Sequence, residues 1–346
     1  MKKYIIRFAI FIVLIAVVFA SVNIIIDPYN IFHYENPRNN GVEANKNYIK
    51  TKYILKHPDK FDSFVFGSSR AGFVNTHDIP GGNYYNMCSS EAVPAEHLRL
   101  LEIFLENGIV PENVIILVDD IACFVDPQNP YHDQLYRVPY PDNDIISRAK
   151  FYYRYCDLVT TFEALGVMLA HEDDDPDFNE RYRESGSERM DKKASDVEGD
   201  FSEGYWSEYY SLRVEEAVSD IKKIRELCDE NGINLVIMTN PLYFKTYAKG
   251  VENGYIDFLD ALGEVTDYWN FSSFSDITVN EGNYYETSHF TPDVAKMMID
   301  TVFSGYEDER LWSQGFGIHV TEENKDEFIS FLKHQAGEFG VKRYEQ

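Results

Sequence analysis

The sequence predicts an α/β fold: a three-layer α/β/α sandwich around a roughly five-stranded parallel sheet, preceded by an N-terminal transmembrane helix and interrupted by a helical insert. Three observations carry this expectation. Short runs rich in β-branched and aromatic residues recur along the chain and alternate with amphipathic helical patterns, which is how parallel strands joined by crossover helices read. One of these runs, Asn-Val-Ile-Ile-Leu-Val at 113–118, is almost wholly apolar, as a strand buried on both faces must be. Finally, 44% hydrophobic and 15% aromatic residues over 346 positions supply ample material for one large core.

At the amino end, Lys2, Lys3 and Arg7 precede an apolar run over residues 8–26 that is broken only by Ser21 and Asn23. At about 1.5 Å per residue it is close to the roughly 30 Å of a bilayer's hydrocarbon core. Basic flanks stay inside, so the chain from Asp27 onward is expected outside the cytoplasm. A cleaved signal peptide shares this pattern. The run is long for one, however, and 16–20 offers only a poor small-residue cleavage site, which favours a retained anchor. The expected organisation is an anchor at 1–26, a juxtamembrane segment at 27–59, a globular body at 60–304 carrying an insert at 126–211, and a carboxyl-terminal appendage at 305–346.

Within that frame each element has its own signal. Asp27-Pro28-Tyr29-Asn30-Ile31-Phe32 reads as a turn packed on the body. Residues 46–57 read as a helix with Asn45 as its N-cap, followed by the loop Pro58-Asp59-Lys60. Strands are expected at 63–66 and 83–87. An amphipathic helix at 94–107 places Leu98, Leu101 and Phe104 on one face and Gly108 behind its end. The strand at 113–118 is closed by Asp119 and Asp120.

From 126 to 211 the rhythm breaks. Prolines and aromatics (Pro130, Tyr131 and Tyr136 among them) lead into a helix from 145 to about 170, then an acidic run at 172–177 and a polar segment to about 204. This is read as a helical cap followed by an acidic loop. Such carboxylates can hold calcium, but their spacing is not that of an EF-hand, and a solvated loop is the plainer reading. Tyr205, Trp206, Tyr209 and Tyr210 supply either an aromatic wall for a sugar or acyl chain, or packing between insert and body. The rhythm resumes with a helix at 212–231, a strand at 235–238, a helix at 253–262 and a last strand at 266–271. A helix at 292–303 follows with Thr291 as N-cap, and the tail carries a helix at 322–334, with no role legible for it.

Charge and cysteine usage narrow the function. The chain has 58 acidic and 32 basic side chains and a net charge of −26, a field that repels phosphate backbones, so no nucleic-acid partner is expected. Cys88, Cys123, Cys156 and Cys228 would be free to oxidise outside the membrane, but they have neither metal-site nor disulfide-scaffold spacing; Cys88 and Cys123 near strand ends and Cys228 inside a helix read as buried thiols, and no structural zinc is expected.

Two distant stretches carry the candidate chemistry. Phe66-Gly67-Ser68-Ser69-Arg70 delivers a serine to the carboxyl end of a strand, where open α/β sheets place their ligand crevice. Alone it is an ordinary strand-to-loop junction. Tyr284-Tyr285-Glu286-Thr287-Ser288-His289-Phe290 gives it weight, because a serine hydroxyl needs a base such as an imidazole, and the imidazole needs a carboxylate to hold its tautomer.

On these residues the chain resembles the SGNH/GDSL hydrolase superfamily, within it the membrane-anchored cell-envelope branch related to alginate O-acetylation and teichoic-acid D-alanyl-transfer proteins. Gly67-Ser68-Ser69 matches the Gly-Asp-Ser block with Ser in place of Asp, and Glu286-Thr287-Ser288-His289 matches Asp-x-x-His with the longer acid. Two blocks depart from the pattern. No glycine follows Asn86-Met87-Cys88-Ser89-Ser90, and Val118-Asp119-Asp120 stands where the family has an Asn side-chain donor. The resemblance covers about 60–304 without the insert and implies an SGNH/flavodoxin-like fold.

It implies Ser69 as nucleophile, His289 as base and Glu286 as orienting acid. The oxyanion or substrate contacts would be the Ser69 amide, amides around Ser89 or Ser90, Asp119 at the strand end and Arg70, though Arg70 reads equally as a salt-bridge residue, and Asp119 or a backbone carbonyl would be able to replace Glu286. The expected function is a membrane-anchored, extracytoplasmic serine acyl-esterase or O-acyltransferase. It would act on a bacterial envelope polysaccharide through an acyl-enzyme, without a cofactor, with a multi-span membrane acyltransferase as the partner the family suggests. The alternatives are a non-catalytic SGNH-like scaffold or polymer-binding protein, and a lipase-like esterase that prefers long acyl chains.

Overall fold

The computed structural model describes residues 2–128, 135–170, 175, 177–188 and 200–345. Pro130, Tyr131, most of the acidic run at 172–177 and much of the polar segment behind it lie outside the described residues. In chain order the elements are α1 Lys2–Ile26, α2 Lys46–Lys56, β1 Ser63–Gly67, β2 Tyr84–Asn86, α3 Pro94–Glu106, β3 Asn113–Val118 and α4 Asp120–Phe124. The insert contributes α5 Ile145–Arg154, α6 Leu158–Ala170 and α7 Phe178–Glu184. There follow α8 Val214–Asn231, β4 Asn234–Thr239, α9 Phe244–Glu252, α10 Tyr255–Gly263, β5 Tyr268–Asn270, the small hairpin β6 Tyr284–Glu286 and β7 His289–Phe290, α11 Pro292–Phe303, α12 Glu309–Trp312, β8 Ile318–Val320 and α13 Lys325–Glu338.

The sheet runs β2-β1-β3-β4-β5-β8. The first five strands are parallel, and β8 joins β5 antiparallel with Trp269 opposite His319. The expected strands are present, and the tail contributes a sixth rather than standing apart: α13 packs on α10 and continues the core through Phe328, Ile329 and Leu332. Strand alternation sorts the core into two layers. Phe64, Phe66, Val114, Ile116 and Val118 face α2, α3, α8, α10 and α13, whereas Val65, Ile115 and Leu117 face α11, α12 and Phe73.

Three helices differ from the expectation, the first being α7 at Phe178–Glu184 within the stretch read as acidic loop and polar segment. The helix expected from 145 to 170 is broken at Tyr155–Asp157 into α5 and α6, and α9 occupies a stretch that showed no helical signal. Asn45 caps α2 as expected, its side chain accepting from the Tyr48 amide at 2.9 Å. Thr291 stands at the N-cap of α11 but makes no side-chain capping bond.

α1 is long and apolar enough to cross a membrane, with a mean hydropathy of 3.0 over its most apolar window, and a signal sequence has the same character. Its last turn is built into the folded protein. Asn23 is buried and donates to Thr161 Oγ1 of α6 at 2.8 Å, and Arg38 Nη1 donates to the terminal carbonyls of Ile25 and Ile26 at 2.7 and 3.1 Å. Asp27, at φ +50°, turns the chain out of the helix and accepts the amides of Ile31, Phe32 and His33 at 2.7–2.9 Å. α2 then runs against the strand direction, its Lys50 ammonium donating to the carbonyls of Asn86 and Cys88 beyond β2. The segment arriving from α1 therefore reaches the body at the carboxyl ends of the strands.

Candidate active site

At that same end, β1 stops at Gly67. A Cβ there would sit 2.6 Å from the Ala71 side chain and 3.0 Å from the Leu117 carbonyl, so only glycine lets the chain fold tightly into the one-turn helix of residues 69–73. The turn leaves Ser69 half-buried while Ser68 and Arg70 point inward. From the opposite side the β6–β7 hairpin brings up the second stretch. The Glu286 carboxylate accepts both the Ser288 amide at 2.6 Å and His289 Nδ1. With its Nδ1 proton given to Glu286, His289 offers Nε2 as an acceptor, and the Ser69 hydroxyl lies 2.8 Å from it. Residues 220 positions apart thus form one continuous chain of hydrogen bonds.

The imidazole is held by its surroundings as well as by its partners. Tyr285 stacks on it at 5.7 Å and Phe73 meets it edge-on at 5.6 Å. Burial works to raise the Glu286 carboxyl. The hydrogen bond and charge of His289, the Ser288 amide and Arg70 outweigh it and hold the group below the ordinary carboxylate value.

Arg70 is committed to structure. It is 1% exposed and donates through Nη1 to Asp120 at 2.5 Å and to Asp119 at 3.0 Å. Its Nε donates to the Ser288 carbonyl at 2.7 Å, and its Nη2 reaches Ser288 Oγ at 3.3 Å. One guanidinium therefore ties the loop carrying Glu286 and His289 to the end of β3. Burial opposes its charge, but Asp120 and Asp119 more than compensate, so it stays protonated. Burial likewise pushes the Asp120 carboxyl up against the pull of Arg70, and Asp120 Oδ2 has no hydrogen-bond partner.

The remaining expected contacts are placed differently. Asp119 is buried and accepts from the Ser68 hydroxyl at 2.7 Å, Asn240 Nδ2 at 2.9 Å and the Ile121 amide at 3.0 Å, so it neither donates to an oxyanion nor replaces Glu286 on the imidazole. The Ser89 amide is engaged by the Gly67 carbonyl at 3.2 Å, and the Ser90 hydroxyl donates to Glu43 at 2.6 Å. The aromatic cluster at 205–210 packs on the body: Trp206 and Tyr210 lie 5.0 and 6.2 Å from the Phe124 ring, and Tyr205 reaches Glu91.

Three supporting residues were not singled out from the sequence. Asn240 orients Asp119, Thr246 donates to the Thr287 carbonyl at 2.7 Å, and Ser288 is the handle that Arg70 grips. Asn240 had a signal, since it follows a strand as Asp119 does. Thr246 had none, lying on the unforeseen α9. All four cysteines are free, with Cys88, Cys123 and Cys228 buried and Cys156 exposed. Among the described residues no three His, Cys, Asp or Glu side chains group as a metal site. No protein-family model matches the sequence, and a search of curated proteins finds no similar one.

Proposed function

We propose that this chain is a membrane-anchored serine acyl-esterase or O-acyltransferase facing away from the cytoplasm and acting on O-acyl groups of an envelope glycopolymer. The observation that carries the reading is the Ser69–His289–Glu286 relay, with Ser69 Oγ 2.8 Å from the imidazole. The hydroxyl attacks the acyl carbonyl while its proton passes to His289 Nε2, and Glu286 stabilises the imidazolium through Nδ1. The tetrahedral intermediate collapses to an acyl-Ser69 ester as the leaving alkoxide takes the proton from Nε2. Water or a sugar hydroxyl then attacks that ester, giving its proton to Nε2, and Ser69 departs as its oxygen takes that proton back from Nε2. Charge on the oxyanion would fall to backbone amides at Ser69 and Ser90, because the Ser89 amide and Asp119 are occupied. The anchor reading is supported by Asn23 and Arg38: removing α1 would strip Thr161 of its donor and Arg38 of its acceptors.

A non-catalytic scaffold is the second reading, favoured by the thin oxyanion provision around Ser89. The full-length chain, in detergent, separates the two. A fluorophosphonate is expected to label the chain and p-nitrophenyl acetate to be cleaved, with both signals lost in Ser69→Ala. A folded wild-type chain that neither labels nor releases p-nitrophenol means the relay is not a working site.

A further inference from the structure

The insert carries an apolar surface that none of the described residues covers, and its position points to what does. α6 buries Thr161 and Ala164 and presents Val159, Phe162, Gly166 and Leu169 outward, a spacing that puts them on one helix face. Val159 and Leu169 are each 70% exposed and Phe162 is 58% exposed. The adjoining α5 exposes Ile145, Ile146 and Tyr153, at 86%, 67% and 79%. A soluble body rarely leaves so many large apolar side chains in water on one substructure.

What adjoins this surface is α1. Asn23, in the last turn of α1, donates to Thr161 and reaches the Asp157 carbonyl, and the chain leaving α1 stays on these helices: Tyr29 meets Tyr155 at 5.4 Å and Phe32 stacks on Tyr152 at 5.5 Å. Asn23 lies three residues before the end of α1, or about 4.5 Å at 1.5 Å per residue, which is the depth of a headgroup layer if α1 crosses the bilayer. Charge on α5 points the same way. Residues 145–156 hold Arg148, Lys150 and Arg154 and no acid, in a chain of net charge −26, with Asp142, Asp144 and Asp157 flanking them and Glu163 the one acid of α6. Basic side chains beside exposed Ile and Tyr are what an anionic lipid surface selects.

We infer that the consecutive helices α5 and α6 form a second membrane contact, a monotopic foot resting in the headgroup region of the leaflet from which α1 emerges and holding the carboxyl end of the sheet, with Ser69, close to the lipid. The inference rests on the anchor reading, and the test separates the two. The full-length chain, with Cys156→Ser, is reconstituted into vesicles of phosphatidylcholine and phosphatidylglycerol. A polarity-sensitive fluorophore is attached at Leu14→Cys in α1, Phe162→Cys or Leu169→Cys in α6, or Val110→Cys at the amino ends of the strands, and spin-labelled lipids serve as quencher.

Loss of fluorescence is expected at 14, 162 and 169 and not at 110. Quenching at 14 with 162 and 169 as bright as 110 overturns the foot and leaves the anchor standing. Shielding of 162 from aqueous iodide without quenching by lipid overturns it too, because protein then covers the face. Absence of quenching at 14 overturns the anchor reading and the foot together. Arg148→Glu with Lys150→Glu is expected to weaken quenching at 162; unchanged quenching overturns the part given to the basic residues.

Discussion

Two buried polar joints tie distant parts of this chain together, and they work in opposite surroundings. Arg70 joins the β6–β7 loop to the end of β3 among buried side chains of the body, and it does so as a full charge held by two carboxylates. Asn23 joins α1 to α6 as a neutral amide, with apolar side chains facing outward on both helices. The contrast shows where each kind of bond suits. An ion pair fixes an orientation tightly but strands a charge if one partner is lost, while a neutral amide costs less to bury where little else is polar.

The sharpest way to break this contrast is Arg70→Met, which leaves Asp119 and Asp120 buried without their cation. A loss of about 3–5 kcal/mol is expected in urea unfolding of the full chain, with part of it recovered when Asp120→Leu is added. A near-neutral Arg70→Met would show that the joint is not carrying the body.

Next in size is a pH effect beneath β1. The His97 ring packs on Phe66 and its imidazole is pushed down to about 4, by burial first and by Arg137, with Asp119 opposing. The unfolded chain, at its ordinary value of 6.5, binds that proton before the folded one does. Stability from this site is therefore complete above pH 6.5 and erodes as pH falls toward about 4, by up to roughly 3 kcal/mol. His97→Leu is expected to flatten the fall of the thermal midpoint over that interval, and an equally steep fall would assign the acid sensitivity to other groups.

Smallest is Asn23→Leu, expected to cost about 1 kcal/mol, since one neutral hydrogen bond at a helix pair contributes no more. Its coupling to Thr161→Val in a double-mutant cycle measures the joint itself, and zero coupling would remove α6 as its partner.

The parts of this molecule that were legible in sequence are those in which local pattern and burial agree. The apolar run at 113–118 is buried from Val114 to Val118, Asn45 caps α2, and Ser69 beyond β1 meets His289 of the β6–β7 hairpin. What escaped was short or depended on remote partners. β8 has three residues and earns its place only by pairing with β5, and α9 follows a proline turn that reads as loop. Arg70 looked equally suited to substrate and to structure, because the two carboxylates that claim it come from a strand end 50 positions away. Thr291 holds the N-cap position without its side-chain bond, and α11 opens on Pro292 with Val294 and Ala295 buried in its first turn.

The route from α1 through Asp27 to α2 has a kinetic consequence. It delivers the body with Ser69 at the end where the tether arrives, so a span in the bilayer confines the hydroxyl to a thin shell above the lipid. If the proposed acyl-transfer reading holds, a lipid-borne acyl donor or acceptor is presented within such a shell at an effective concentration of about millimolar. On that reading weak intrinsic affinity suffices, and turnover on substrates carried by the membrane is expected to outrun turnover on the same groups free in solution.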